Sequence, residues 1–314
     1  MRLAIAAAIL AFCGEAGAYV RSRTAHGTPT HWTASCVIVQ PDAAGTSDLP
    51  AADLFAAIKR SMDAWRTATA ACGYMTLDYV EPAPLEAHFD GTNTIKFRGD
   101  RWCHPDDSHS SGVCYDSIAA GITTVFYVDR AGDDDGRLLD ADVELNTINF
   151  TFDIVGADGK PSKAARPSTT IADLENTLVH ELGHVQGLDH TCKGTAPVGL
   201  EVDENGQPLP DCNKLSALPA NERAKITDAT MFISATPAEI KKRSPEPDDV
   251  AGICNAYPTA SDPGTCAAAD LSGYGADGHG CAAAPSTRTG ASCAALAALV
   301  LAAALAHAAR RRRR

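Results

Sequence analysis

Little in this sequence is basic. Lysine and arginine total 27 residues against 39 aspartates and glutamates, and the last five residues of the chain are all arginine. The formal net charge of −12 therefore understates the acidity of the rest of the chain. An acidic chain without a basic patch is poorly suited to bind nucleic acid or anionic lipid, so we expect neither as a partner.

The sequence also lacks any C-x-x-C pair, which argues against a zinc site built from cysteines, although it contains 11 cysteines. So many cysteines indicate an oxidising compartment. Cys13 and Cys293 lie in the terminal segments, and the odd number between them predicts at least one thiol that is free or bonded elsewhere. Pairing of sequence neighbours favours Cys103–Cys114, Cys192–Cys212 and Cys266–Cys281, although spacing does not settle the connectivity.

No apolar run reaches the length of about 20 residues that a membrane-spanning helix needs. Residues 1–18 are instead typical of a secretory signal, with Arg2 at the start, an apolar middle and a small-residue cleavage site. Residues 258–292 are rich in Ala, Gly, Ser, Thr and Pro, which predicts a linker.

Residues 293–314 join a cysteine, a short apolar run and the arginine block. They resemble the C-terminal sorting tails of myxobacterial surface proteins, in which the cysteine marks the processing and anchoring site. This resemblance implies export to the cell surface, the outer membrane or the medium, with transient membrane association through the tail.

The most informative stretch is residues 180–190, which fit the pattern H-E-x-x-H-x-x-G-x-x-H. On a helix, His180 and His184 project from one face because they are four residues apart. Glu181 lies to the side, where it can reach a metal-bound water without binding the metal. Gly187 is expected to end the helix in the left-handed conformation, so that His190 returns as a third nitrogen ligand. Three neutral imidazoles would hold Zn²⁺ and leave its fourth position open to water.

The residues upstream of this pattern specify a helix. Apolar side chains recur at helical spacing, and they are Ile171, Leu174, Leu178, Leu182 and Val185. Thr170 and Asp173 predict a capping box at the start of the helix. We expect the apolar face to pack into the core while the histidines face a cleft.

These residues resemble those of the metzincin metallopeptidases and, within them, the matrixins. Met231, in the stretch Ala-Thr-Met-Phe, resembles the Met-turn that lies beneath the zinc in this clan. Thr191, directly after the third histidine, is small and hydroxylic as in matrixins. The resemblance implies an α+β fold over residues 19–257. That fold is a twisted, mostly parallel sheet with an antiparallel edge strand, a zinc-binding active-site helix and a C-terminal helix.

Several segments are placed by the resemblance or depart from it. The segment 140–149 corresponds to the sheet edge that binds extended peptide by strand addition. This region lacks the histidines of the second, structural zinc of matrixins, so that zinc is not carried over. Asp133, Asp134 and Asp135 are expected to form a solvated acidic turn, with a Ca²⁺ site as the alternative. Residues 191–228 form a longer insertion than in matrixins, expected beside the cleft, and residues 232–247 would form the wall of the specificity pocket.

The resemblance implies a monomeric zinc endopeptidase that acts on a protein or peptide substrate. His180, His184 and His190 would bind the zinc, Glu181 would be the general base, and Met231 would support the site from below. Two alternatives stay open. One is a processing peptidase of narrow specificity, gated by the insertion 191–228, and the other is a non-catalytic surface binding module with the same fold.

Overall fold

The computed structural model describes residues 19–106, 112–194, 200–274 and 280–283. The predicted signal peptide and sorting tail lie outside these residues. Among the residues described, no helix is both long enough and apolar enough to cross a membrane.

Strands and helices alternate along the chain. The strands are β1 (Val20–Arg21), β2 (Cys36–Pro41), β3 (Thr76–Tyr79), β4 (Asn93–Arg98), β5 (Gly121–Val128), β6 (Leu138–Asn146), β7 (Phe150–Asp153), β8 (Thr170–Asp173), β9 (Leu188–Asp189) and β10 (Gly280–Ala283). The helices are α1 (Ala51–Thr69), α2 (Leu174–Val185), α3 (Ala220–Asp228) and α4 (Pro247–Ala256). The predicted α+β class is therefore confirmed.

A six-stranded mixed sheet forms the centre of the fold, with the strand order β10-β5-β6-β4-β2-β3. Strands β3, β2, β4 and β6 are parallel to one another, whereas β5 is antiparallel to both of its neighbours. The prediction of a mostly parallel sheet with an antiparallel strand is thus confirmed. The remaining strands form two small pairs, β1 with β9 and β7 with β8.

The prediction that residues 140–149 form the sheet edge is wrong. Strand β6 lies between β4 and β5 and is buried along its whole length. Its alternating carboxylates, Asp140, Asp142 and Glu144, would suit an exposed strand, but each is buried and accepts hydrogen bonds. Its neighbour on the side toward the edge of the sheet is β5. Because β10 pairs only with residues 125–128, no described strand covers the outer side of residues 121–124.

Helix α1 joins the sheet to α2. Its buried stripe contains the predicted Leu54, Ile58, Met62 and Trp65. The indole N–H of Trp65 donates to the Val179 carbonyl oxygen at 2.8 Å, which fixes α1 against α2. Helix α2 in turn packs on β5 and β6, so its position relative to the outer strand is set by the core.

The described residues contain four disulfides, of which two join distant parts of the chain. The predicted Cys103–Cys114 and Cys192–Cys212 pairs are confirmed. The predicted Cys266–Cys281 pair is wrong, because Cys266 is bonded to Cys36, 230 residues away. The fourth bond is Cys72–Cys254. Four disulfides fit the expected oxidising compartment.

The segment that follows α4 lies on the body of the protein rather than leaving it. Besides the Cys36–Cys266 bond, the Ser35 amide donates to the Thr265 carbonyl oxygen at 2.8 Å. The Tyr274 hydroxyl donates to Asp134 at 3.1 Å. The linker predicted to start at residue 258 therefore begins with chain that is attached to the sheet as far as Tyr274.

Candidate metal centre and cleft

Helix α2 carries two of the three predicted ligands. Its N-cap is Asp173, whose carboxylate accepts a hydrogen bond from the Asn176 amide at 2.8 Å. The predicted capping box is wrong, because Thr170 lies in β8, which runs directly into the helix. The buried apolar face consists of Leu174, Leu178, Val179, Leu182 and Val185. This packing leaves His180 and His184 on the side that borders the cleft.

Gly187 makes the turn that brings in the third histidine. Its φ is 93°, in the left-handed region that glycine adopts without strain. A Cβ at this position would also lie 3.1 Å from the Thr30 carbonyl oxygen. The next two residues form β9, which pairs with β1, and His190 follows directly. The predicted helix end is thus confirmed, and the N-terminal segment supports the turn.

The three imidazoles turn their Nε2 atoms toward one point. His190 Nε2 lies 3.3 Å from that of His180 and 3.2 Å from that of His184. On the far side of two of the rings, Nδ1 meets a backbone carbonyl oxygen. His180 Nδ1 contacts Thr230 at 2.7 Å, and His184 Nδ1 contacts Leu188 at 2.9 Å. A carbonyl only accepts, so each Nδ1 must carry the proton and each Nε2 lone pair faces inward.

This arrangement fits a tetrahedral metal ion. Two nitrogens that each lie about 2.0–2.1 Å from such an ion are roughly 3.3–3.4 Å apart. The Nε2 separations match that spacing. The backbone carbonyls behind two of the rings act as the outer hydrogen-bond partners that orient metal-binding histidines. His180, His184 and His190 are therefore a group that can hold a metal ion.

Burial keeps these histidines neutral. It lowers the pKa of His180 and His190 well below the usual value and lowers that of His184. The positive charge of Lys242 lowers the pKa of all three further. Neutral imidazole is the form that binds a metal ion.

Glu181 lies beside the histidines, against the first residues of β5. Its Oε2 accepts a hydrogen bond from the Thr123 hydroxyl at 2.7 Å. A Cβ at Gly121 would lie only 2.7 Å from its Oε1, so glycine is needed there to admit the carboxylate. Burial raises the pKa of Glu181, and the Thr123 hydrogen bond opposes that rise in part. A raised carboxyl pKa suits a group that accepts a proton and returns it.

Met231 is completely buried beneath α2. The turn that contains it is closed by a hydrogen bond from the Phe232 amide to the Ala229 carbonyl oxygen, at 3.2 Å. A Cβ on Gly183 would overlap the methionine sulfur, so the helix and the turn are in close contact. The preceding Thr230 supplies the carbonyl that orients His180. The structure therefore places Met231 where the sequence pattern predicts it.

An open cleft of about 700 Å³ runs past the three histidines and Glu181. One wall is the chain around the start of β5, and the opposite wall includes residues 232–237. Gly194, Cys212 and Asn213 of the 191–228 insertion also border it. Part of the segment 232–247 and part of the insertion 191–228 therefore border the cleft, and a role of either in specificity stays a prediction.

Lys242 also borders the cleft and is only 4% exposed. Its Nζ donates to the Phe232 carbonyl oxygen and lies 3.4 Å from His180 Nδ1. Within the described part of the chain, no carboxylate forms an ion pair with it. Burial lowers the pKa of Lys242 to about 8. The cleft thus contains a cationic donor beside the metal centre.

Sequence reasoning missed Gly121, Thr123 and Lys242. Gly121 had a usable signal, because a glycine in a strand often marks the close approach of another group. Thr123 and Lys242 had none, since a threonine in a strand and a lysine in a basic triplet are typical of ordinary positions.

The three aspartates considered either as a solvated acidic turn or as a calcium site do not share one site. Asp134 meets Arg130 and the Tyr274 hydroxyl, whereas Asp135 is buried beneath the hydroxyls of Thr24 and Thr28. Asp133 is exposed. The three side chains separate because a tight turn sends neighbouring residues in different directions.

No family model matches the chain, and no curated protein matches it.

Proposed function

We propose that the protein is a zinc-dependent endopeptidase with a metzincin fold of the matrixin type. The observation that carries the proposal is the convergence of three neutral Nε2 atoms, at 3.2 and 3.3 Å, beside a buried glutamate in an open cleft. Zinc is the metal of choice because three histidines leave a tetrahedral ion one open position. When bound there, zinc supplies Lewis acidity and lowers the pKa of a water to roughly 7.

Glu181 is the proposed general base and acid. Its carboxylate takes a proton from the attacking water and returns it to the departing amine. The Thr123 hydroxyl, 2.7 Å from Oε2, holds the carboxylate in one orientation during both transfers. Burial of the site keeps bulk water away from the proton.

The free side of β5 is the proposed docking strand for the substrate. Residues 121–124 have backbone groups on the side away from β6 that no described strand covers. Gly121 and Ile122, at the start of this stretch, line the cleft beside Glu181. An extended peptide paired there would gain main-chain hydrogen bonds and pass the metal centre. The substrate side chain that follows the cleaved bond would face residues 232–237 of the cleft.

A peptidase of narrow specificity remains a second candidate, favoured by the position of the insertion. Cys212 and Asn213 border the cleft, and the Cys192–Cys212 disulfide holds that part of the insertion close to His190. A fixed wall of this kind restricts the shapes that enter. The substrate is in either case an exported or extracellular protein, in agreement with the four disulfides. The tail, residues 293–314, is proposed to hold the protein at the cell surface until it is processed.

The test is hydrolysis of casein by the purified mature protein, before and after removal of metal by a chelator. We expect cleavage that the chelator abolishes and that added zinc restores. Cleavage of casein at many sites favours the broad peptidase, and cleavage of a single partner alone favours the narrow one. A metal-loaded protein that binds unfolded chains and cuts none would instead support the non-catalytic binding module.

A further inference from the structure

A second group of metal-binding side chains lies away from the cleft, where the N-terminal segment crosses the β5–β6 connection. Residues 24–28 form a turn closed by a hydrogen bond from the Thr24 amide to the Thr28 carbonyl oxygen, at 2.9 Å. This turn places His26 against Asp129 and Asp135, which flank the connection. His26 is more than 100 positions from both aspartates along the chain.

Three ligand atoms meet at this point. His26 Nδ1 lies 3.3 Å from Asp129 Oδ1 and 3.7 Å from Asp135 Oδ1. All three atoms are within 4.8 Å of one another. We propose that His26, Asp129 and Asp135 bind a second divalent first-row metal ion, with Zn²⁺ as the best match, and so fasten the N-terminal segment to the sheet.

The carboxylates are held in place as metal ligands usually are. Asp135 is only 6% exposed, and its Oδ2 accepts hydrogen bonds from the hydroxyls of Thr24 and Thr28. Its Oδ1 is buried and accepts no hydrogen bond from the described residues. Asp129 Oδ1 accepts one from the Ala25 amide, at 3.1 Å. These outer partners fix both carboxylates, and the uncompensated buried oxygen faces the histidine.

A metal ion explains this group better than a plain ion pair. The 3.7 Å gap between His26 Nδ1 and Asp135 Oδ1 is too long for a hydrogen bond. Two carboxylates brought together, one of them buried, are stable when a doubly charged ion lies between them. One imidazole with two carboxylates is a donor set that zinc accepts, whereas Ca²⁺ takes oxygen ligands. The half-exposed His26 leaves room for water as a fourth ligand.

The fastened segment also supports the catalytic turn. The Ser22 amide donates to the Gly187 carbonyl oxygen at 3.0 Å, and β1 pairs with β9 immediately before His190. The Trp32 indole N–H donates to the Val185 carbonyl oxygen at 2.7 Å. An ion at His26 therefore stabilises the chain that positions the third ligand of the metal centre, without touching that centre.

The test is a metal count on the mature protein, stripped with chelator, reloaded with Zn²⁺ and freed of excess ion. We expect two zinc ions per chain for the wild type and one for His26→Asn. His31→Asn is the matched control, because His31 lies in the same segment but its Nδ1 faces the Pro29 carbonyl oxygen. It should retain two ions. Asp129→Asn should behave like His26→Asn, and the ion retained at the three histidines shows that both variants are folded.

Hydrogen exchange gives a second readout. Amides of residues 20–31 should exchange faster in zinc-loaded His26→Asn than in zinc-loaded wild type, and the control should match the wild type. The proposal is overturned if His26→Asn and wild type hold the same number of ions. A second ion that no substitution at His26 or Asp129 removes is adventitious and also overturns it.

Discussion

Two buried clusters in this protein combine histidine with a glutamate, and they differ in what the glutamate contacts. In the first, Glu144 of β6 accepts hydrogen bonds at both oxygens. Arg98 Nε lies 2.5 Å from Oε1, and the Tyr115 hydroxyl and His104 Nδ1 lie 2.7 and 2.8 Å from Oε2. In the second, the Glu181 carboxylate accepts one side-chain hydrogen bond within the described part of the chain, from the Thr123 hydroxyl. The three neighbouring histidines direct their free lone pairs at each other.

The pKa values separate the two glutamates. Burial acts to raise the pKa of Glu144, but the His104 hydrogen bond and the Arg98 charge outweigh it, so the pKa is lowered. Burial dominates at Glu181 and its pKa is raised. The charge of the Glu144 carboxylate is compensated by these partners, so we expect this residue to stabilise the fold. The charge of the Glu181 carboxylate is only partly compensated by its neighbours. Such a carboxylate is suited to exchange protons beside a bound ion.

The largest effect should follow from removing a histidine ligand. His184→Ala takes away one of three converging nitrogens, so we expect loss of the ion at this centre and of all peptide hydrolysis. Metal analysis and casein cleavage measure both, with His31→Ala as the control that keeps them. If His184→Ala retained the full amount of metal at this centre, His184 would not be a ligand.

Glu181→Gln should separate binding from chemistry. Glutamine keeps the shape and the Thr123 contact but does not take up a proton, so turnover should fall by about 10²–10⁴-fold. Metal content should be unchanged. The matched control is Glu175→Gln on the same helix, whose carboxylate pairs with Arg60 outside the cleft. A Glu181→Gln protein that cleaves casein at the wild-type rate contradicts the proposed role.

A substitution in the Glu144 cluster should lower the stability of the protein rather than its turnover. Glu144→Gln removes the buried counter-charge of Arg98, whose Nη1 keeps a second ion pair with the less buried Glu86, at 2.5 Å. Because breaking a buried pair costs about 3–5 kcal/mol when the remaining charge has no partner, we expect a loss below that range. Urea unfolding measures that loss. Turnover per folded molecule should stay near wild type, because no atom of this cluster reaches the cleft. Loss of turnover without loss of stability would show that the two clusters are coupled.

The contrast also explains what the sequence could predict. The spacing of His180, His184, Gly187 and His190 predicted the metal centre because all four act within one helix and its turn. The partner of Cys266 and the neighbours of β6 depend on how distant segments meet, which local periodicity does not encode. Thr123 reaches the Glu181 carboxylate for the same reason, through the packing of α2 on β5. The resemblance placed residues 140–149 at the sheet edge, whereas the antiparallel strand with an uncovered side among the described residues is β5.

The smallest effect, and the sharpest comparison, is the opposite pH dependence of the two glutamates in metal-free protein. The lowered pKa of Glu144 adds stability that is present above the unfolded pKa of about 4.3 and is lost as pH falls through the folded value. The raised pKa of Glu181 has the opposite effect on stability, because the folded protein binds that proton more tightly than the unfolded chain does. The ionised carboxylate destabilises the fold, and this destabilisation is relieved as pH falls through the folded pKa of Glu181. Urea unfolding from pH 7 to pH 3 should therefore show the advantage of wild type over Glu144→Gln shrinking. Over the same range, wild type should gain stability relative to Glu181→Gln. Parallel slopes for the two variants would mean that the glutamates have the same environment, and the contrast between a compensated and an open site would be lost.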